Sequence, residues 1–412
     1  MKNFLVHDEK VKAQMCADIG VQNVDELFER IPAAARMNSL KLNDALSEME
    51  TQKKIKSLAN KNNTNYANFV GGGFYNKFVP ACIGQVAQRF EFLTAYTPYQ
   101  PEISQGTLQV MYEFQTMMCR LTKMDVANAT VYDAATACAE AILMSVRIKK
   151  QNKVLVSNKL NPEYKRVITT YTNASGIEVE WFDNIPQNTS EYSCVLIQTP
   201  NYYGEIEKVE TVDTLLVVCT DASSLAILEP AECDIMVGDV QTLGIPMSFG
   251  GPSAGFMACK EKYMRQLPGR LAGRTVDAEG KEAYTLTIQT REQHIKREKA
   301  TSNICSNQAL IGLCATLYLS VMGEKGFKQA GYLSTKYAHK LSKLLEEKGI
   351  KTINKNFYNE FTIEVRNANK VLATLKENGI LGGIELDSTH ILVATTEMNS
   401  EEELVKYAQY LA

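Results

Sequence analysis

At 412 residues with 45% hydrophobic side chains, the chain can bury one large core and a smaller satellite. Its 44 Lys and Arg against 47 Asp and Glu leave a formal charge of -3, which argues against nucleic acid as the main partner. Ten cysteines without a CxxC pair, Cys305 among them, and four histidines without ligand spacing point to free thiols in a reducing compartment, not to disulfides or a metal site.

The first residues, MKNFLVHDEK, meet acidic side chains before an apolar core develops, so no secretory signal is expected. The longest apolar helical stretch, 309–322, is interrupted by Gly312 and Thr316 and is too short for a bilayer, so a cytoplasmic protein without a membrane role is expected. Residues 1–60 read as a charged helical arm, with Asn23 placed to cap DELFERI; the arm either wraps a partner or is a solvated extension. Residues 61–310 read as a large α/β domain and 311–412 as a small α+β domain.

Gly71–Gly73 are costly to order unless the backbone needs positive φ or a close contact. Pro98 and Pro101 hold Tyr99 and Gln100 extended, because a residue before proline avoids the helical region. Such an aromatic, rigid segment suits a functional loop or a surface turn. From Thr107 to Lys123 the residues Leu108, Met111, Phe114, Met118 and Leu121 recur at helical spacing, and the methionines are assigned to the core. Ala134, Ala135, Thr136 and Ala137 then open a helix whose free N–H groups would suit a phosphate, or are small for packing alone.

Short β-branched runs follow at 153–157, 166–171, 177–182, 194–198 and 215–218, separated by turn residues, and imply a mostly parallel sheet covered on both faces. The run from Leu215 ends on Asp221, where open α/β sheets bind ligands. A strand at 234–237 leads into the glycine-punctuated loop 244–255. In pyridoxal phosphate (PLP) enzymes an acid pairs with the pyridinium nitrogen and a lysine holds the aldehyde as a Schiff base. The acid is present, but no lysine lies between Leu215 and Ala258, and Gln241 stands before the glycine loop where the amine would be needed. An amide cannot form an imine.

Past that loop the chain turns basic, with Arg270, Arg274, Arg291 and Arg297, either a solvated face or an anion or subunit contact. A helix from Gln308 with Leu310, Leu313, Leu317 and Val321 on one face follows. Strands at 361–365 and 391–395 alternate with helices, and Ser400 with Glu403 forms a capping box for the last one.

A large parallel α/β domain before a small α+β domain, with Asp221 at a strand end, resembles the aspartate-aminotransferase-like PLP-dependent transferase fold, fold type I. The stretches NFVGGGFYNKFVP, AYTPYQPEISQGTLQ, YDAATACAEA, FGGPSAGF, LPGRLAGRTVD and TREQHIKREKATSNICSNQAL resemble, in order over nearly the whole chain, the glycine cleavage system P-protein family, glycine dehydrogenase (decarboxylating), in the first subunit of its split form. The resemblance implies that a second subunit carries the PLP lysine in a His-Lys pair, where Val240 and Gln241 stand here. It implies an α2β2 assembly that decarboxylates glycine and passes the aminomethyl group to the lipoyl arm of the H-protein. Asp221 and Thr136 would be vestiges of a cofactor site in a chain holding no PLP itself. Tyr75, Tyr96, Tyr99, Gln100 and Glu102, with Arg270, Arg274 and Arg297, would reach or shape the partner's site. The competing reading is a self-sufficient PLP aminotransferase or decarboxylase using Lys260 or Lys262.

Overall fold

In the computed structural model, which describes residues 7–37, 39, 42–304 and 306–411, Leu215–Asp221 is the middle strand of a seven-stranded sheet. Cys305 lies outside the described residues; the other nine cysteines are free thiols. The strands are β1 (Val126–Ala127), β2 (Lys153–Ser157), β3 (Glu178–Phe182), β4 (Cys194–Gln198), β5 (Leu215–Asp221), β6 (Ile235–Asp239) and β7 (Gly255–Cys259). Across the sheet they run β1-β7-β6-β5-β4-β2-β3. Neighbours from β6 to β3 pair in parallel, while β7 is antiparallel to both β6 and β1.

Both faces of β5 are buried, as its unbroken apolar run requires. Leu216 and Val218 join Phe114, Met118 and Tyr318 in one core, and Leu215, Val217 and Cys219 join Ile142 and Met144 in the other. The predicted helix at 107–123 forms as Gln105–Thr122 with Met111 and Met118 buried. The run at 166–171 is not a strand: it lies inside the helix Pro162–Ser175. Asn161 caps the Glu163 N–H, Pro162 presets the first turn and Gly176 ends the helix at φ 65°, and these end signals outweigh the β-branched composition. The stretch read only as basic contains a hairpin, Leu271–Val276 with Glu282–Thr287.

The C-terminal sheet is antiparallel, in the order Lys351–Thr352, Glu360–Glu364, His390–Ala394, Ile384–Asp387. Its core holds Ala338, Leu341 and Leu345 from the helical stretch Ala309–Glu346, which breaks at Gly323 with φ 59°. Leu404, Tyr407 and Leu411 face the same core, and the Ser400–Glu403 capping box is formed. Of the stripe Leu310, Leu313, Leu317 and Val321, Leu313 is buried and Val321 is 53% exposed; Ala315, Thr316 and Tyr318 carry the buried face. Phe69 also belongs to this C-terminal core, and Ala67–Asn68 pairs in parallel with Ile380–Leu381. The small sheet therefore delivers the glycine segment that follows Phe69.

Residues 1–64 form a separate unit whose helices are Glu9–Asp18 and Glu48–Ala59. Asn23 caps as expected, accepting from the Asp25 and Glu26 N–H groups, but the turn it opens, Val24–Phe28, is 3-10. Among the described residues no helix is long and apolar enough to cross a membrane.

Candidate functional site

The strands β4, β5 and β6 end side by side on Gln198, Asp221 and Asp239. Gly72 enters this edge from the small sheet, with φ 75°, a conformation and a closeness that suit glycine: a Cβ would stand 2.5 Å from Ile384. Its N–H donates to Glu360 Oε1 at 2.6 Å, and its C=O accepts from Asn161 Nδ2 at 2.9 Å. The Tyr75 hydroxyl donates to Glu360 Oε2 at 3.0 Å. Between Gly72, Tyr75, Tyr202, Asp221, Tyr358 and Glu360 a cavity of about 30 Å³ remains, room for a water or two. Burial pushes the Glu360 carboxyl up to about 7, against its bonds from Gly72 and Tyr75.

Gln241 is 1% exposed and its amide is fully spent. Oε1 accepts from the Tyr75 N–H at 3.0 Å, and Nε2 donates to the Tyr75 C=O at 3.1 Å and the Ile245 C=O at 2.8 Å. Gln241 thus ties two backbone segments together.

The start of the helix Ala134–Lys149 is also taken. Asp133 accepts from the Thr136 N–H at 2.7 Å, and Asp239 Oδ2 accepts from the Ala134 N–H at 3.2 Å. Asp239 Oδ1 further accepts from the Gln241 N–H at 2.7 Å and the Ser253 hydroxyl at 2.6 Å. Burial pushes Asp239 up to about 7, opposed by those three bonds and aided by Asp133. Two carboxyl groups thus accept from N–H groups of the helix's first turn that a phosphate there would otherwise use. Asp221 lies at the strand end as expected, with its carboxylate accepting from Thr242 at 2.7 Å and from Ser223. The residues at this strand edge do not fit PLP: Gln241 offers no imine-forming amine, the Ala134 and Thr136 N–H groups are already bonded and the cavity holds no more than a water or two.

No lysine of this edge offers a substitute among the described residues. Lys260 and Lys262 follow the antiparallel β7, which carries them to the opposite end of the sheet, 3.2 and 3.9 Å from Asp234. Lys77 lies close enough to Asp221 to feel its charge but is buried, 3.1 Å from Glu397 and 2.9 Å from Ser334. Burial works against its charge, but Tyr358, Glu397 and Asp221 hold its pKa above the ordinary lysine value, so it stays protonated. A protonated amine is no nucleophile.

The other candidate residues divide between the interior and the surface. Tyr75 is inside, held by Gln241 and Glu360, whereas Tyr96 is 77% and Tyr99 43% exposed. Gln100 and Glu102 are exposed as well. The Tyr96 hydroxyl meets that of Ser306 at 2.7 Å. Tyr99 stands edge-on to His294, ring centroids 5.0 Å apart, with the Arg270 guanidinium 5.8 Å above its ring. Arg270 is buried, 3.3 Å from the Thr97 hydroxyl and 3.8 Å from Glu292, so it is no part of a solvated face; Arg291 is buried too. Tyr99 and Arg270 are thus brought together, with Thr97, Glu292 and His294, which sequence reasoning missed. Arg274 pairs instead with Glu282 on the hairpin at 3.3 Å, and Arg297 is exposed at φ 54°.

The family model for the glycine cleavage system P-protein matches residues 2–411. The chain belongs to that family. It is 42% identical to the probable glycine dehydrogenase (decarboxylating) subunit 1 of Geobacillus thermodenitrificans, over 100% of this chain and 99% of that one. Against the protein of the same description from Desulforamulus reducens it is 44% identical, over 97% of each. A crystal structure of glycine decarboxylase (P-protein) of the glycine cleavage system, in inhibitor-bound form, superposes with a TM-score of 0.91 at 36% identity, covering 99% of both chains. Glutamate decarboxylase from Lactobacillus brevis, with a TM-score of 0.66 at 11% identity, shares the fold alone. The expected fold type I transferase architecture and the glycine dehydrogenase family both hold.

Proposed function

We propose that this chain is the PLP-free subunit of a glycine dehydrogenase (aminomethyl-transferring) and works only with a second, PLP-carrying subunit. The name subunit 1 borne by its relatives implies such a partner. The reading rests most on one observation: the Gln241 amide, which we assign to the place of the Schiff-base lysine, is consumed by the Tyr75 and Ile245 backbone. With the partner, in a cytoplasmic α2β2 assembly, the reaction is glycine decarboxylation with release of CO2 and delivery of the aminomethyl group to the lipoyl group of the H-protein. PLP on the partner supplies the electron sink.

This chain's part is to complete the partner's site from its exposed edge. Tyr96, Tyr99, Gln100 and Glu102 lie on a segment stiffened by Pro98 and Pro101, which positions side chains at low ordering cost. Arg270 backs Tyr99 and fixes the segment through Thr97. Tyr75 acts one layer deeper, as a positioning residue through Gln241 and Glu360. Co-expression with the second subunit, assayed by glycine-dependent exchange of labelled bicarbonate, tests the reading: exchange is expected from the complex and from neither subunit alone. Exchange by this chain alone, or by the second subunit alone at the rate of the complex, overturns it.

A further inference from the structure

Glu140 stands in the middle of the helix Ala134–Lys149 and is fully buried, and nothing in the proposed reaction uses it. Its carboxyl receives one hydrogen bond, from the Ser302 hydroxyl to Oε1 at 2.6 Å, while Oε2 has no partner among the described residues. Burial pushes this carboxyl up, against the Ser302 bond and the charge of Arg147, which itself donates to the Gln266 C=O at 3.0 Å. A buried carboxyl so thinly bonded costs stability, and the helix does not need it: Ala137, Ala141, Ile142 and Met144 already pack into the core on that face of the sheet. Buried titratable groups kept at such a cost gather at functional sites.

The other end of the bond shows what Glu140 holds. Residues 301–304 and 306–308 have one apolar side chain, Ile304, and it is only partly buried. Polar contacts fix the segment instead: the Thr301 N–H donates to the Arg291 C=O at 2.9 Å, the Ile304 N–H to the Ser302 hydroxyl at 3.2 Å and the Asn307 amide to the Ala129 C=O at 2.7 Å. Between these anchors Ser306 meets the Tyr96 hydroxyl at 2.7 Å. One end of the run stands on a carboxyl set in a rigid helix, and the other touches a side chain assigned to the partner's site.

We infer that Glu140 is a positioning residue of the two-subunit enzyme: through Ser302 it holds this segment so that Ser306 sets the Tyr96 side chain for the partner's site. The inference rests on the role proposed for Tyr96.

The test is bicarbonate exchange by the co-expressed complex. Ser302→Ala is expected to lower kcat about 10-fold with KM for glycine changed by less than about 2-fold, because positioning and not binding is lost. The isolated chain's thermal midpoint is expected to move by no more than about 2 °C. Ser302→Thr keeps the hydroxyl and Glu140→Gln keeps the acceptor, so each is expected to retain at least roughly half of the turnover. Tyr96→Phe is expected to lower turnover by itself, and in that background Ser302→Ala is expected to cost less than about 2-fold more, since both remove parts of one chain of contacts. A 10-fold loss that persists undiminished beside Tyr96→Phe overturns the inference, as does a loss in Ser302→Thr equal to that in Ser302→Ala. Tyr96→Phe without effect on an active complex refutes the proposed role of Tyr96 and this inference with it. A complex in which Tyr96→Phe lowers turnover and Ser302→Ala does not refutes this inference alone.

Discussion

The Gln241 side chain lies along the Tyr75 backbone as a strand would, taking its N–H at 3.0 Å and giving to its C=O at 3.1 Å. The two residues are separated by 166 positions, and both are buried. Substitution Gln241→Ala leaves Tyr75 N–H, Tyr75 C=O and Ile245 C=O without these partners, and is expected to cost about 2–4 kcal/mol. Gln241→Lys is expected to fall in the same range, since an ammonium group cannot accept from the Tyr75 N–H. Urea denaturation of the isolated chain measures both; a loss below about 0.5 kcal/mol for Gln241→Ala contradicts the assignment.

Stability of the isolated chain should fall as pH rises. The Glu360 carboxyl moves from an ordinary 4.5 to about 7 on burial, so the folded chain holds a proton there that the unfolded chain has released. A raised folded-state pKa gives stability that is fully present below about 4.5 and lost as pH rises through about 7. Asp239, also raised to about 7, adds in the same direction. Glu360→Gln keeps an acceptor for Gly72 and removes the titration, so its thermal midpoint is expected to vary less with pH across that window. An equal pH slope in both proteins contradicts the account.

Lys77 and Glu397 form a buried pair, with side chains 2 and 8% exposed. Lys77→Met leaves a carboxylate buried without its cation and is expected to cost about 3–5 kcal/mol. Pairing it with Glu397→Leu removes the stranded charge, and the double variant is expected to recover much of that loss. A double variant as unstable as the sum of the singles shows no coupling between the two side chains and contradicts this account.

Tyr96 and Tyr99 are exposed, so Tyr96→Ala/Tyr99→Ala is expected to change the isolated chain's stability by less than about 1 kcal/mol. In the assembled enzyme the same substitutions are expected to lower turnover by about 10-fold or more, the scale at which lost positioning of a reacting group is felt. Unchanged turnover with intact assembly removes these side chains from the partner's site.

Much of this was legible in the chain. The apolar run before Asp221, the absent lysine and the ordered stretches shared with the P-protein family each stand in the sequence, and the sheet puts Asp221 where the pattern requires. The run at 166–171 misleads because its β-branched composition points to a strand, while Pro162 and Gly176 on either side bound a helix. Glu360 was invisible: it follows Tyr75 by 285 residues and meets it only because Ala67–Asn68 joins the C-terminal layer. Arg270 looked like part of a charged surface, since no local pattern shows that Thr97, Tyr99 and Glu292 enclose it. Asp239 carries a signal in the sequence, an acid two positions before Gln241 at a strand end.

The central claim is that this chain holds no coenzyme, and the most direct test is borohydride trapping of the purified single chain incubated with PLP, read by intact mass and by absorbance near 400 nm. The account predicts no stoichiometric adduct and no visible band. One PLP fixed per chain at a single lysine, with the band to match, would contradict it.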